Sequence, residues 1–194
     1  MISENPFKFG TVVDGDFFTD RTEELPKVQQ MLSGRNHLVI ISPRRYGKTS
    51  LVRKAILQMG RPAVFINVQM AMSAARLAEL LLKSFFSIYP WERFKEALKS
   101  FRAKPVFSFN PETGGVDVSF EGSAKGDAAL EDVLNMMDKK SDPENRLIVV
   151  LDEFQEIAGL EPGTDKLLRG IMQLHSNINY LFLGSEESMM TAIF

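Results

Sequence analysis

Eight consecutive residues, Ser42-Pro43-Arg44-Arg45-Tyr46-Gly47-Lys48-Thr49, set a glycine, an ammonium and a hydroxyl side by side after the aliphatic run Leu38 to Ile41. That order suits a highly charged oxyanion. Gly47 would let backbone amides approach phosphate oxygens, Lys48 would place a point charge on them, and Thr49 would offer a hydroxyl to Mg²⁺. A helix opening at Lys48 would add the partial positive charge of its first amides. The phosphate-loop pattern G-x-x-x-x-G-K-[ST] is met at every fixed position except the first, where Ser42 stands. Serine fits there if the position does not need a positive φ. By composition alone, Gly-Lys followed by Ser or Thr arises in roughly one chain in ten of this length, so the triplet needs support from its surroundings.

Two further segments supply it. "LIVVLDEF", Leu147 to Phe154, is an apolar run closed by two acids. A carboxylate at the carboxyl end of a buried parallel strand is where a nucleotide-bound Mg²⁺ needs an anion, which suits Asp152. Glu153 follows at once and is placed to polarise an attacking water. Read alone, two acids after a strand are more often the start of a solvated loop; coupled to Gly-Lys-Thr they favour chemistry. In "YLFLGSEESMM", Tyr180 to Met190, Ser185 at a strand tip could touch a γ-phosphate or that water, with Gly184 giving backbone room.

The elements that must position these groups alternate. The pattern predicts a helix over Leu25 to Ser33 with Pro26 in its first turn, and a strand at Leu38 to Ile41. A helix over Lys48 to Met59 and a strand over Ala63 to Val68 follow. Ser73 is expected to cap a helix with the apolar face Leu77, Leu80, Leu81, Phe85 and Ile88. Beyond Pro90, Trp91, Phe94, Leu98 and Phe101 form another helical stripe. "VFSFNPETGGVDVSF" alternates around a turn and reads as a hairpin. A helix over Asp127 to Lys140 precedes the Asp152 strand. Thr164 is expected to cap a helix to about His175, apolar at Leu167, Leu168, Ile171 and Leu174. Tyr180 to Ser185 is the last strand, and a short helix follows. Strands alternating with helices predict a three-layer αβα domain around a mainly parallel sheet, with a β-hairpin insertion. The organisation expected is one domain over 1–194. Within it, 1–36 is an N-terminal segment and helix, 37–104 the first half of the core, 105–122 the hairpin insertion and 123–194 the half bearing Asp152 and Ser185.

Composition narrows the classes. The chain has 194 residues, 44% hydrophobic and 25% charged, which fits one globular domain with a sizeable core. A net charge of −2 gives nucleic acid no general attraction. The absence of cysteine excludes disulfides and thiolate metal sites and fits a reducing, cytoplasmic setting. No apolar run approaches the ~20 residues of a membrane span, and the first residues lack the pattern of a signal peptide. His37 and His175 stand without partners at metal-ligand spacing. Phe7, Phe9, Phe17 and Phe18 suggest that the N-terminal segment packs on the domain.

With these motifs in order, the chain resembles the AAA-like ATPases of the additional-strand, catalytic-glutamate class of P-loop NTPases. Within that class it looks like the archaeal-type and bacterial ATPase family related to the signalling NTPases with numerous domains. "FFTDRTEEL", "SPRRYGKTSL", "LIVVLDEFQEI" and "YLFLGSEESMM" carry the resemblance. It implies a Walker A loop whose nucleotide contacts run through Ser42, Pro43, Arg44, Arg45, Tyr46, Gly47, Lys48, Thr49 and Ser50. It implies a Walker B motif with Asp152, beside Thr49, on Mg²⁺. Lys48, Glu153 and Ser185 would be the catalytic set, with Glu153 activating water and Ser185 sensing the γ-phosphate. Val12 to Arg21 would lie near the adenine, and the Ser185 strand would lie between the Lys48 and Asp152 strands. The family core continues into a fifth strand and a helical lid, so this sequence is expected to lack both, ending near the sensor helix with the Lys48 strand at an open edge.

The expected function is therefore Mg-ATP binding and hydrolysis, as a switch or motor domain. The alternative is a nucleotide-binding but catalytically idle interaction module, because closure over the nucleotide completes such sites. A small-molecule kinase is disfavoured by the water-activating Asp-Glu pair and the absence of an Arg-rich lid. A DNA-associated role draws no support from this sequence. Partners beyond ATP, whether a second copy or another protein, stay open, and Arg169 would serve as a trans-acting finger only in an assembly.

Overall fold

Aliphatic runs too apolar to face water on either side form the centre of the molecule. A computed structural model describes residues 21–110, 115–120 and 126–193. In it β1 (Leu38–Ile41), β2 (Ala63–Asn67), β5 (Leu147–Asp152) and β6 (Ile178–Gly184) build a parallel sheet in the order β1-β6-β5-β2. The two central strands are the ones buried nearly throughout, whereas β1 and β2 are only half covered. The predicted place of the Ser185 strand, between β1 and β5, is the one observed.

Side-chain alternation splits the core between the two faces. Ile148 and Val150 of β5 and Leu181 and Leu183 of β6 pack on α1 (Glu24–Ser33) and α2 (Lys48–Met59) through Val28, Leu32, Val52 and Ile56. Leu147, Val149 and Leu151, with Tyr180 and Phe182, face the other way. They meet α3 (Ala74–Ile88), α5 (Gly126–Lys140), α6 (Thr164–Met172) and α7 (Glu187–Ile193). The result is the three-layer αβα architecture predicted.

The hairpin is β3 (Pro105–Asn110) paired antiparallel with β4 (Gly115–Phe120). It rides on α3, through buried Val118 and a Lys83–Asp117 ion pair.

Three local expectations are corrected. Ser73 does cap α3, accepting from the Arg76 amide at 3.1 Å, but Ile88 is 36% exposed because Tyr89 ends the helix just past it. The stripe beyond Pro90 divides into a 3-10 turn (Trp91–Phe94) and the short α4 (Lys95–Lys99), with Trp91 stacked on Phe107 of the hairpin. Thr164 is not the cap of α6. Gly163, at φ 96°, holds that position, and Thr164 is the buried first helical residue, its hydroxyl without a hydrogen-bond partner among the described residues. α6 stops at Met172, leaving Leu174 84% exposed.

Candidate functional site

All the predicted chemistry lies at the carboxyl ends of β1, β6 and β5, where ligands of parallel α/β sheets bind. The register sets Ile41 beside Gly184 and Leu151 beside Phe182, so the three strand ends open onto one space. The Ser42 amide donates to Gly184 O at 3.2 Å, which fixes the loop as it leaves the sheet. Among the described residues only Arg45 and Glu153 are non-glycine positions with positive φ. Ser42 is not one of them, so the position that lacks the expected glycine does not need one. Gly47 does: it starts α2 at φ 74°, a left-handed conformation costly to residues with a Cβ. The left-handed Arg45 (φ 67°), two residues before it, helps curl the loop into a concave turn of the kind that gathers amides around an anion.

Lys48 and Ser50 are buried in the first turn of α2, and Thr49 is partly covered. Pro43, Arg44, Arg45 and Tyr46 are exposed on the loop. The Lys48 ammonium bends back over the loop and donates to Ser42 O at 2.8 Å and Pro43 O at 3.3 Å. It therefore sits inside the concavity, and a phosphate there would compete with two carbonyls for it. Thr49 Oγ1 donates to Asp152 Oδ2 at 2.7 Å, and Asp152 Oδ1 accepts the Glu153 amide at 3.0 Å.

Glu153 and Ser185 also meet. Ser185 Oγ donates to Glu153 Oε2 at 2.9 Å, and the Arg44 Nε–H points to Ser185 Oγ at 3.5 Å. At Gly184 a Cβ would fall 2.5 Å from the Met190 side chain, so the glycine here lets α7 pack directly on the tip of β6.

One contributor was not foreseen. Gln155, 1% exposed, donates to Glu153 Oε2 at 2.6 Å and to Ser185 Oγ at 3.2 Å, and its Oε1 accepts the Ser185 amide at 3.3 Å. An uncharged residue two places after an acid carries no sequence signal of this. It is brought there by the 3-10 turn Phe154–Gly159, anchored by Phe154 against Phe182 with ring centroids 4.6 Å apart. Arg21, the last residue of the segment expected near the adenine, reaches the loop. It donates to Tyr46 O at 2.6 Å and pairs with Glu24, so a residue just upstream of α1 braces the loop. Beside it, a cavity of about 350 Å³ between α1, β1 and the loop is lined by Arg21, Val28, Met31, Ile40, Tyr46 and Leu51. The rest of the segment expected near the adenine, Val12 to Asp20, lies outside the described residues, as do Phe7, Phe9, Phe17 and Phe18. Arg169 is not brought to the site by any described contact; it pairs with Asp165 on its own helix at 3.4 Å.

No group of three or more His, Cys, Asp or Glu among the described residues could cage a metal ion. The oxygens of Thr49 and Asp152 offer instead the hard, sparse donor set that suits Mg²⁺, which keeps several waters and takes further ligands from phosphate.

A parallel sheet with a Gly-Lys-Thr loop after its first strand and an acid pair after the neighbour-but-one is the fold of a P-loop NTPase. The family model described as an ATPase domain predominantly from Archaea matches residues 18–193. The chain belongs to that family. Among solved structures it resembles the Walker-type ATPase PABY2304 of Pyrococcus abyssi, with TM-score 0.66 and 19% identity over 97% of this chain and 51% of that one. It also resembles the Aeropyrum pernix ORC1 protein, solved in complex with DNA, with TM-score 0.57 and 13% identity over 88% of this chain and 40% of that one. The chain thus spans about half or less of the length of these structures, and at such identities the likeness is one of fold. No curated protein sequence matches it.

Proposed function

We propose that the chain is an ATP-binding, ATP-hydrolysing domain, read as one unit over 1–194 with the hairpin as an insertion. The observation that carries this reading is the Thr49–Asp152 hydrogen bond, which joins the phosphate loop to the acid strand where a nucleotide-bound Mg²⁺ would sit. In this reading the loop from Ser42 to Ser50 wraps the phosphates, its amides and the start of α2 facing the β-phosphate. Lys48 leaves its two loop carbonyls for the β and γ oxygens, a charge-assisted exchange that favours phosphate. Thr49 and Asp152 hold Mg²⁺, which supplies neutralisation of charge on the phosphate oxygens. Ser185 contacts the γ-phosphate, and the Glu153 carboxylate accepts a proton from the attacking water. The apolar cavity beside Arg21 receives the adenine. Arg44, already directed at Ser185, adds positive charge near the γ-phosphate.

A switch or motor role belongs to this proposal, and so do a cytoplasmic setting and assembly with a second copy or another protein. No helix among the described residues is long and apolar enough to cross a membrane. The net charge of −2 lends nucleic acid no support. The second reading, a module that binds nucleotide without turnover, is favoured by one feature: among the described residues β1 has no strand on its outer side, and Val39 and Ile41 are exposed there beside the loop. Calorimetry with ATP, with and without Mg²⁺, on the chain and on Lys48→Ala tests the binding step. Binding that persists unchanged in Lys48→Ala would exclude the loop as the site.

A further inference from the structure

We infer that Gln155 is a positioning residue for hydrolysis: its carboxamide ties the Glu153 carboxylate to the Ser185 hydroxyl, so that the water-activating group and the γ-phosphate contact are held as one unit. The inference rests on the ATPase reading above and assigns a role to a residue that the loop and acid motifs leave out.

Three observations carry it. The first is placement. Gln155 is almost wholly buried in a turn whose Phe154 and Ile157 are also buried, where a purely packing role would be served by an apolar side chain, yet its side-chain hydrogen bonds among the described residues go to Glu153 and Ser185. The orientation of the amide follows from its partners. A carboxylate oxygen faces Nε2 and a backbone N–H faces Oε1; reversing the group would set oxygen against oxygen and donor against donor.

The second is the backbone. Glu153 lies in the left-handed region at φ 51°, which an L-residue occupies only where its surroundings hold it. The bond from Gln155 to its carboxylate, and that from its own amide to Asp152, supply the hold.

The third is a matter of proton count. Ser185 has one hydroxyl proton, and it is given to Glu153 Oε2. A γ-phosphate oxygen reaching Ser185 would compete for that proton, and Glu153 would lose one of its two side-chain donors. Gln155 is the donor that remains. It keeps the carboxylate aligned while Ser185 turns to the phosphate, and the bonds to Glu153 use only Oε2, leaving Oε1 to accept from water. Its effect should therefore fall on turnover and not on nucleotide affinity.

The test uses the full chain with Gln155→Met, which keeps the volume and removes the amide, and Gln155→Glu, which keeps an acceptor for the Ser185 amide but sets a second carboxylate against Glu153. Mg-ATP affinity should stay within about threefold in both, while kcat falls at least about tenfold. A kcat within about twofold of the parent, or a loss confined to affinity, overturns the inference. A second measurement needs no turnover. Denaturation midpoints of Gln155→Met, Ser185→Ala and the double variant, without nucleotide, should fail to add, the double variant resembling the worse single one. Additive shifts contradict the network. If the parent chain neither binds nor hydrolyses ATP, the ATPase reading falls instead, and the additivity of these midpoints decides the role of Gln155 as a tether on its own.

Discussion

Thr49 Oγ1 and Asp152 Oδ2 lie 2.7 Å apart, although 103 positions separate them in the chain. The first belongs to the opening turn of α2 and the second to the end of β5, with β6 between their strands. Removing the hydroxyl while keeping the shape, as in Thr49→Val, should weaken Mg-ATP binding about tenfold, roughly the worth of one hydrogen bond or ligand to a charged group. Affinity for ATP in EDTA should be little changed. Calorimetry in both buffers checks this, and an equal loss in each would assign Thr49 to the loop alone.

Ser42 offers a sharper test of the loop. Because its backbone does not occupy the left-handed region, Ser42→Gly should bring no gain in nucleotide affinity and should lower stability by a few tenths of a kcal/mol to about 1 kcal/mol through the unfolded chain. Urea denaturation and calorimetry on the same sample measure both. A marked gain in affinity would show that the serine impairs the site.

The end of the sheet away from the site is held by a polar network. The Arg61 guanidinium donates to Leu32 O, Arg146 O and Asn179 Oδ1, while Asn179, fully buried, donates to Gly34 O and Asn36 O. Arg61 thus satisfies one of the last carbonyls of α1, Leu32 O, which has no partner within the helix, and Asn179 satisfies two carbonyls of the segment that follows it. Arg61→Ala should therefore cost about 2–3 kcal/mol by leaving part-buried acceptors unpaired. Denaturant unfolding reads this, and a loss below about 0.5 kcal/mol would show water replacing the arginine without penalty.

Acid should loosen the same end. Burial holds both His37 and His175 below the ordinary histidine value of 6.5; at His175, Asp138 opposes that shift and His37 adds to it. His37 Nδ1 accepts the Tyr180 amide at 3.3 Å, and His175 bridges the Tyr180 hydroxyl and Asn135 Oδ1. The unfolded chain thus binds more protons than the folded one as pH drops below 6.5. The stability these histidines give is complete above that value and declines as pH falls through the window down to their folded pKa values. Tyr180 is pushed well above 10 by burial, with Asp138 adding to the shift, so its contribution is present below that value and is lost as pH rises beyond it. Urea midpoints from pH 8 down to about pH 5 should fall, and a flat profile there would contradict the neutral cluster.

Much of this was legible because it is local. The span Lys48–Met59 follows from Gly47, the 3.6-residue pattern and Gly60, and the central strands follow from runs apolar on both faces. The acid pair and Ser185 could be named because strand ends are where such chemistry collects. What escaped is the part decided by distant neighbours. Gln155 gains its meaning only from a 3-10 turn and from the strand that happens to lie beside β5. The Arg61–Asn179 pair joins residues 118 positions apart. Thr164 misled because a threonine before a helical stripe reads as a cap, whereas Gly163, free to adopt φ 96°, takes that place.

The central claim is turnover at Glu153 on nucleotide held by Lys48. Phosphate release from Mg-ATP, followed beside calorimetric binding on the chain, Lys48→Ala and Glu153→Gln, tests it most directly. The chain is expected to bind and hydrolyse, Lys48→Ala to lose binding, and Glu153→Gln to keep binding while turnover drops by a factor of about 10²–10⁴. A folded chain that binds no Mg-ATP, or a Glu153→Gln variant that releases phosphate at the parent rate, would contradict it.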